Sequence, residues 1–342
     1  MGKLASGSAA IVGRLSLDLR LSGEPPARTR RIAQSLSGVD RVGECLFLGS
    51  DEGAGLERLE AGGGGFRNRQ EFLLDTFFEL PGASRVEADI ESISVHKDWL
   101  WLVTSHALTR RRIKKGLETF AEITPHSRRY VLGRIPLVRK NGEVLPVPRD
   151  GDRHAECVPL SETGSALTDA LKHDPYLKHF LAIPAKENGL DIEGLAARGS
   201  RVVLGLRGPV LRGHAVLLDM MWPEGNGGFG IEADGQRYRR LFVDLDGLGV
   251  RDLCRRGRDL ILLAGPTMPL PAPYRLFALP GFFDEAEPEP ILEPECLCEI
   301  PSDEGNPEGI TRYEKPDTFL VAFDSVDSED ATRARGLLIR PR

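Results

Sequence analysis

The chain has 342 residues, 41% of them hydrophobic and 28% charged, with a formal net charge of -6. That balance suits a globular protein and speaks against a general nucleic-acid binder, which needs a basic face to displace counterions. No stretch approaches the ~20 apolar residues of a membrane-spanning helix, and the opening Met1-Gly-Lys-Leu-Ala-Ser lacks the apolar core of a secretory signal.

With 38 Gly and 24 Pro, the composition favours many short strands joined by turns. Cys45, Cys157, Cys254, Cys296 and Cys298 are odd in number and show no second pair that would complete a zinc site. Free thiols in a reducing, cytoplasmic compartment are the expectation.

Along the chain, AIVGRLSLDLRL reads as an N-terminal strand. A motif then returns: weakly as Gly38-Val-Asp-Arg-Val, clearly as Asp89-Ile-Glu-Ser-Ile-Ser and Asp191-Ile-Glu-Gly-Leu-Ala, degenerately as Gly249-Val-Arg-Asp-Leu-Cys, and again as Asn306-Pro-Glu-Gly-Ile-Thr. Each copy precedes a polar turn and an apolar strand: CLFLGS, WLWLVTS, VVLGLRG, LILLAGP and TFLVAFD. Further strands follow the first four: GLERLE and EFLLDTFFEL, RYVLGRIPL and AECVPL, HAVLLDMMW and YRRLFVDL, YRLFALPGFF and ECLCEI. After TFLVAFD only GLLIRP remains, one strand short.

A strand, tight turn and strand recurring at roughly 40–60 residues is the pattern of propeller blades. The sequence therefore predicts an all-β, five-bladed β-propeller, one domain over 1–342, whose last blade is closed by the N-terminal strand. Six blades are the alternative, because the interval from about Asp89 to Asn188 is long. Within it, Thr163 to Leu171 reads as a short helix in an insertion at about 161–182.

Several stretches resemble a bacterial family of domains of unknown function, DUF3616. They are DIEGLA followed by LGLRGPVLRG, GLGVRDLC followed by LLAGPT, and SDEG from Ser50. The resemblance covers nearly the whole chain and implies a propeller-like fold, with no activity or catalytic residue attached. The Asp-x-Glu-Gly element is also similar, more loosely, to one in phytase-like and lactonase-like propellers, several of which use calcium. Arg251 stands where that likeness would place an acid.

In a propeller the first strand of each blade lines the central channel. Aligning the repeats puts Asp40, Glu91, Glu193, Arg251 and Glu308 at one level, with Asp89 and Asp191 two residues earlier on the same strand face. Ends of the second strands add Asp51, Ser105 or His106, Arg207 and Asp324. These residues either brace neighbouring blades or bind a ligand. Crowded carboxylates demand a counter-ion, and hard oxygen donors suit Ca2+, with Glu91, Glu193 and Glu308 as metal ligands. His106 is the candidate acid or base.

Gly62 to Gly65 lacks the Gly-Lys-Ser/Thr of a phosphate loop, and no G-x-S-x-G nucleophile elbow occurs. Two functions remain open. One is an acidic funnel that binds a small ligand or divalent metal and extends to metal-assisted hydrolase or lactonase chemistry; the other is a non-catalytic propeller that binds a protein or small ligand.

Overall fold

In the computed structural model, residues 7–111, 118–222, 238–268, 270–284, 287–301, 305–315, 317–326 and 330–341 are described. Strand β1 (Ala10–Asp18) and helix α1 (Pro26–Ala33) precede a series of antiparallel meanders. The first meander is β2 (Leu36–Val42), β3 (Cys45–Ser50), β4 (Gly55–Gly62) and β5 (Gly65–Leu73). Next comes β6 (Ile90–His96), β7 (Trp99–Thr104), β8 (Leu132–Lys140) and β9 (Glu143–Pro146). The third is β10 (Asp191–Arg198), β11 (Arg201–Gly208), β12 (His214–Met221) and β13 (Arg239–Asp244). The fourth is β14 (Gly249–Arg256), β15 (Asp259–Gly265), β16 (Tyr274–Leu279) and β17 (Glu295–Ile300). The last is β18 (Pro307–Arg312), β19 (Phe319–Val326) and β20 (Arg333–Arg340), to which β1 adds itself.

The result is all-β and propeller-like. The first strands β2, β6, β10, β14 and β18 pack side by side in chain order, and β18 packs back on β2. Each meander is sandwiched against the next by one apolar cluster. Phe47, Ile93 and Leu102 fill the space between the first two, and Leu195, Val202 and Trp101 the next. Leu253, Leu262 and Phe277, then Leu263, Val321 and Leu337, continue the series. Leu17, Leu46 and Leu320 close it between last and first. Strands covered on both faces are near-continuously apolar, which is why WLWLV and VVLGL show no alternation.

Strand β1 runs antiparallel to β20, from Ala10 opposite Arg340 to Asp18 opposite Arg333. It also touches β5 in parallel through Ser16 and Leu17, so the first and last meanders join into one sheet. In the long interval, α2 (Ala166–Leu171) starts from a capping box between Ser165 and Thr168. Buried Asp174 then ties the segment to the third meander, accepting from Tyr238 at 2.5 Å and Arg240 at 2.7 Å.

Two strand expectations are corrected. EFLLDTFFEL supplies only Glu71–Leu73 to the fourth strand of the first meander: β5 begins at Gly65, after a turn at Gly63 and Gly64 with φ of 64 and 78°, and Leu74–Thr76 is a helical turn. AECVPL is not the fourth strand of the second: Asn141 and Gly142, with φ of 52 and 85°, make a tight hairpin that supplies β9 instead. Only Glu156 and Cys157 of AECVPL pair, along β8. Among the described residues no helix is long and apolar enough to cross a membrane.

Candidate functional site: a carboxylate-rich funnel

Each innermost strand slips register at the same place. The slip lies between Ile90 and Ser92, Ile192 and Gly194, Val250 and Asp252, and Pro307 and Gly309. A bulge re-aims the extra residue, here Glu91, Glu193, Arg251 and Glu308. On β2 the slip falls between Leu36 and Val39, so Ser37 and not Asp40 holds the corresponding place.

Asp40 therefore leaves the expected ring. It lies three residues further along β2, where it accepts from Thr311 at 2.6 Å and from the Val95 and Arg41 amides at 2.6 and 2.7 Å. It braces three adjacent inner strands. The register could have been read from Ser35-Leu-Ser-Gly-Val, which matches Asp191-Ile-Glu-Gly-Leu place for place.

The remaining residues divide into a frame and a cluster. Arg207 pairs with Asp191 at 2.5 Å and with Glu193 at 2.6 Å. Arg251 takes the other oxygen of Glu193 at 3.0 Å and also pairs with Glu308. Asp324 is occupied by Asn306, whose backbone and side-chain nitrogens donate at 3.1 and 2.9 Å. Asp89, at φ 56°, accepts from Ser105 and faces Arg129 at 3.2 Å. Asp51 and Glu91 have no hydrogen bond or ion pair with any described side chain, and both are half-buried.

Glu91 is the pivot. It brings a carboxylate oxygen within 4.8 Å of one on Asp51 and one on Asp89, and does the same with Asp191 and Glu193. Glu308 belongs to neither group, so of the three expected metal ligands only Glu91 and Glu193 come together. Asp191 joins them.

Burial, then repulsion by Asp89 and Glu193, pushes the Asp51 carboxyl well above its usual range. Burial and repulsion by Asp51 and Asp89 do the same to Glu91. Burial lifts Glu193 to about 7 against the pull of Arg207 and Arg251, and Asp89 to about 6 against Arg129. Crowding thus disfavours full ionisation of the cluster, and a cation would relieve it.

His106 stands apart. Its Nδ1 bonds the Thr104 carbonyl at 2.8 Å, its ring meets Tyr130 edge-on at 5.9 Å, and burial drives its pKa to about 4. No funnel carboxylate is its partner, which removes the reason to expect an acid or base there. Its backbone N–H donates to the Arg129 carbonyl at 2.6 Å, so it holds the loop that carries Arg129.

Two residues escaped the sequence reading. Arg129 opens the stretch RYVLGRIPL, in the helical turn Ser127–Tyr130 that leads into β8, and lies outside the repeated motif. Asp252, fully buried, accepts from Ser92 at 2.6 Å and from the Leu253 and Ile310 amides, both at 2.8 Å. Strands β6 and β14 are not neighbours in the ring, so the Ser92–Asp252 bond spans the channel and gives the funnel a floor. Its acid at the motif's small-residue position was the available signal: Gly38, Ser92, Gly194 and Gly309 occupy the others.

Fold and site together define a propeller-like, all-β protein with a cluster of carboxylates on its inner strands. The chain belongs to the family described as Protein of unknown function (DUF3616), whose family model matches residues 35–339. No curated protein matches it. Among solved structures it is similar to the PQQ-bound aldose sugar dehydrogenase from Streptomyces coelicolor, at 13% identity over 98% of both chains with a TM-score of 0.41. Glutaminyl cyclase of Myxococcus xanthus gives 9% identity over 97% of this chain and 96% of that one, with a TM-score of 0.42. The Bacillus subtilis arabinanase Arb43A gives 13% identity over 89% and 93%, with a TM-score of 0.40. Likeness this low says nothing about activity.

Proposed function

We propose that the chain is a single five-bladed propeller over residues 1–342, whose funnel holds a divalent cation, calcium, and through it binds a small ligand rich in oxygen donors. The observation that carries this reading is the charge imbalance. Six carboxylates (Asp51, Asp89, Glu91, Asp191, Glu193 and Glu308) meet Arg129, Arg207 and Arg251, and the two without an ion pair, Asp51 and Glu91, are half-buried. Oxygen donors without His or Cys suit calcium better than zinc. The floor at Asp252 supports a dead-end binding site over a through-channel.

Metal-assisted hydrolysis is the second reading. It is favoured by the proximity of Asp51 and Glu91, which no side chain engages: once a cation favours their ionised forms, the one that does not ligate the metal can accept a proton from an attacking water. A non-catalytic propeller remains the outcome if the funnel binds a cation but turns over no ester.

The test is thermal melting with calcium, magnesium or manganese. A cation at a hundred times its dissociation constant stabilises by about 2.7 kcal/mol, which for a chain this long raises the midpoint by about 4 °C. Chelator should reverse the rise, and Glu91→Gln should abolish it without harming the metal-free fold. An unchanged midpoint with all three ions would reduce the cluster to a structural brace.

A further inference from the structure

The opposite end of the inner ring carries the reverse charge. Strand β6 ends in His96, with Lys97 in the turn after it, β10 in Arg198, β14 in Arg255 and Arg256, and β18 in Arg312. The ends are tied together: the Gly199 amide donates to His96 Nδ1 at 2.7 Å, and Arg255 Nε donates to the Ala197 carbonyl at 3.2 Å. Arg256 is neutralised by Asp259 and Asp317, and Arg198 is held by Asp284. Arg255, Arg312 and Lys97 pair with no carboxylate among the described residues. The acid facing Arg255 is Asp40, whose oxygens are already committed to Thr311, Val95 and Arg41.

We propose that this mouth is an anion site for a phosphate group, held by the guanidinium groups of Arg255 and Arg312, the Lys97 ammonium and the His96 imidazole. The chemistry fits on three counts. Guanidinium forks and an ammonium offer the many donors that a doubly charged phosphate accepts. Because His96 Nδ1 accepts from Gly199, the neutral ring must carry its proton on Nε2, which is then a donor at any pH above its pKa. Burial, then the field of Arg255, Lys97 and Arg198, holds that pKa down to about 4. Arg255 is likewise lowered, by burial and then by Arg198 and Arg312. Lys97, Arg255 and Arg312 thus bring positive charge there without a carboxylate ion pair among the described residues, in a protein of net charge -6.

This site is independent of the calcium reading, and its test keeps the two apart. Inorganic phosphate is titrated by calorimetry, with the His96 ring followed by NMR in calcium-free protein. Saturable binding is expected, with the His96 pKa rising towards its ordinary value as phosphate neutralises its neighbours. The exposed pair Lys97→Gln and Arg312→Gln should weaken phosphate by about tenfold or more while leaving the calcium response of the melt intact. Phosphate that does not saturate by tens of millimolar, or that binds both variants as tightly as the parent, would overturn the proposal. So would binding that vanishes with Glu91→Gln, because the phosphate would then sit on the funnel cation.

Discussion

Two glutamates at the same bulge position should answer differently to loss of charge. Glu193 is shared by Arg207 and Arg251, so Glu193→Gln takes one carboxylate from each and leaves Arg207 with Asp191 and Arg251 with Glu308. It should lower stability by about 1–3 kcal/mol, measured by denaturant unfolding, whether or not calcium is present. Glu91 has no arginine partner, so Glu91→Gln should be neutral or stabilising without metal and should cost only the calcium response. The glycine next to the bulge has a separate duty. A Cβ on Gly309 would lie 2.3 Å from the Ser37 carbonyl oxygen, where β18 meets β2. Gly309→Ala should therefore destabilise by about 1–3 kcal/mol, and an unchanged midpoint would contradict that close approach. The Glu-Gly pair of the motif thus combines a ligand position with a packing position. In the sequence the acid of each copy was visible but its purpose was not. Asp40 was drawn into the ring because it is acidic, although the neighbouring Leu-Ser-Gly-Val set the true register.

At the scale of the element, strand identity was legible wherever apolar runs are covered on both faces, as in CLFLGS, WLWLVT and VVLGLRG. It failed at the outermost strands of the first two meanders, where half-exposed residues such as those of β5 carry a weaker pattern and glycine turns decide the boundaries, whereas YRRLFVDL and ECLCEI hold β13 and β17. The Asn141-Gly142 dipeptide is itself a hairpin signal, but the strand it introduces, Glu143–Pro146, is short and less apolar than AECVPL. The N-terminal strand was legible from the strand missing after GLLIRP. Its burial gives the expectation a magnitude: Leu17 and Leu19 are fully enclosed in the cluster between last and first meanders. Removing residues 1–19 should therefore cost several kcal/mol, about 2–5 for each buried leucine, and should lower the melting midpoint of the whole protein. Survival at the parent temperature would show that β1 is an ornament on an already closed ring.

For the whole molecule, the funnel predicts how stability varies with pH. A carboxyl whose folded pKa is raised holds a proton that the unfolded chain releases, so its contribution falls as pH climbs from the unfolded to the folded value. For Glu193 that window runs from 4.5 to about 7, and for Asp89 from 3.8 to about 6. Calcium, which needs both ionised, should cancel the loss. The rise in midpoint that it produces should therefore grow from pH 5 to pH 7.5, and a constant rise would argue that the ion binds elsewhere. The closed ring also sets an order of events on the ribosome. Strand β1 emerges first and its partner β20 almost last. At about 5–20 residues per second, β1 waits for tens of seconds with an unsatisfied edge. The parallel contact of Ser16 and Leu17 with Gly65 and Phe66 becomes available early, as soon as β5 is made. It can shelter one edge of β1 while the rest of the chain is synthesised, so the newborn protein is most vulnerable to misassociation through the strand that later seals it.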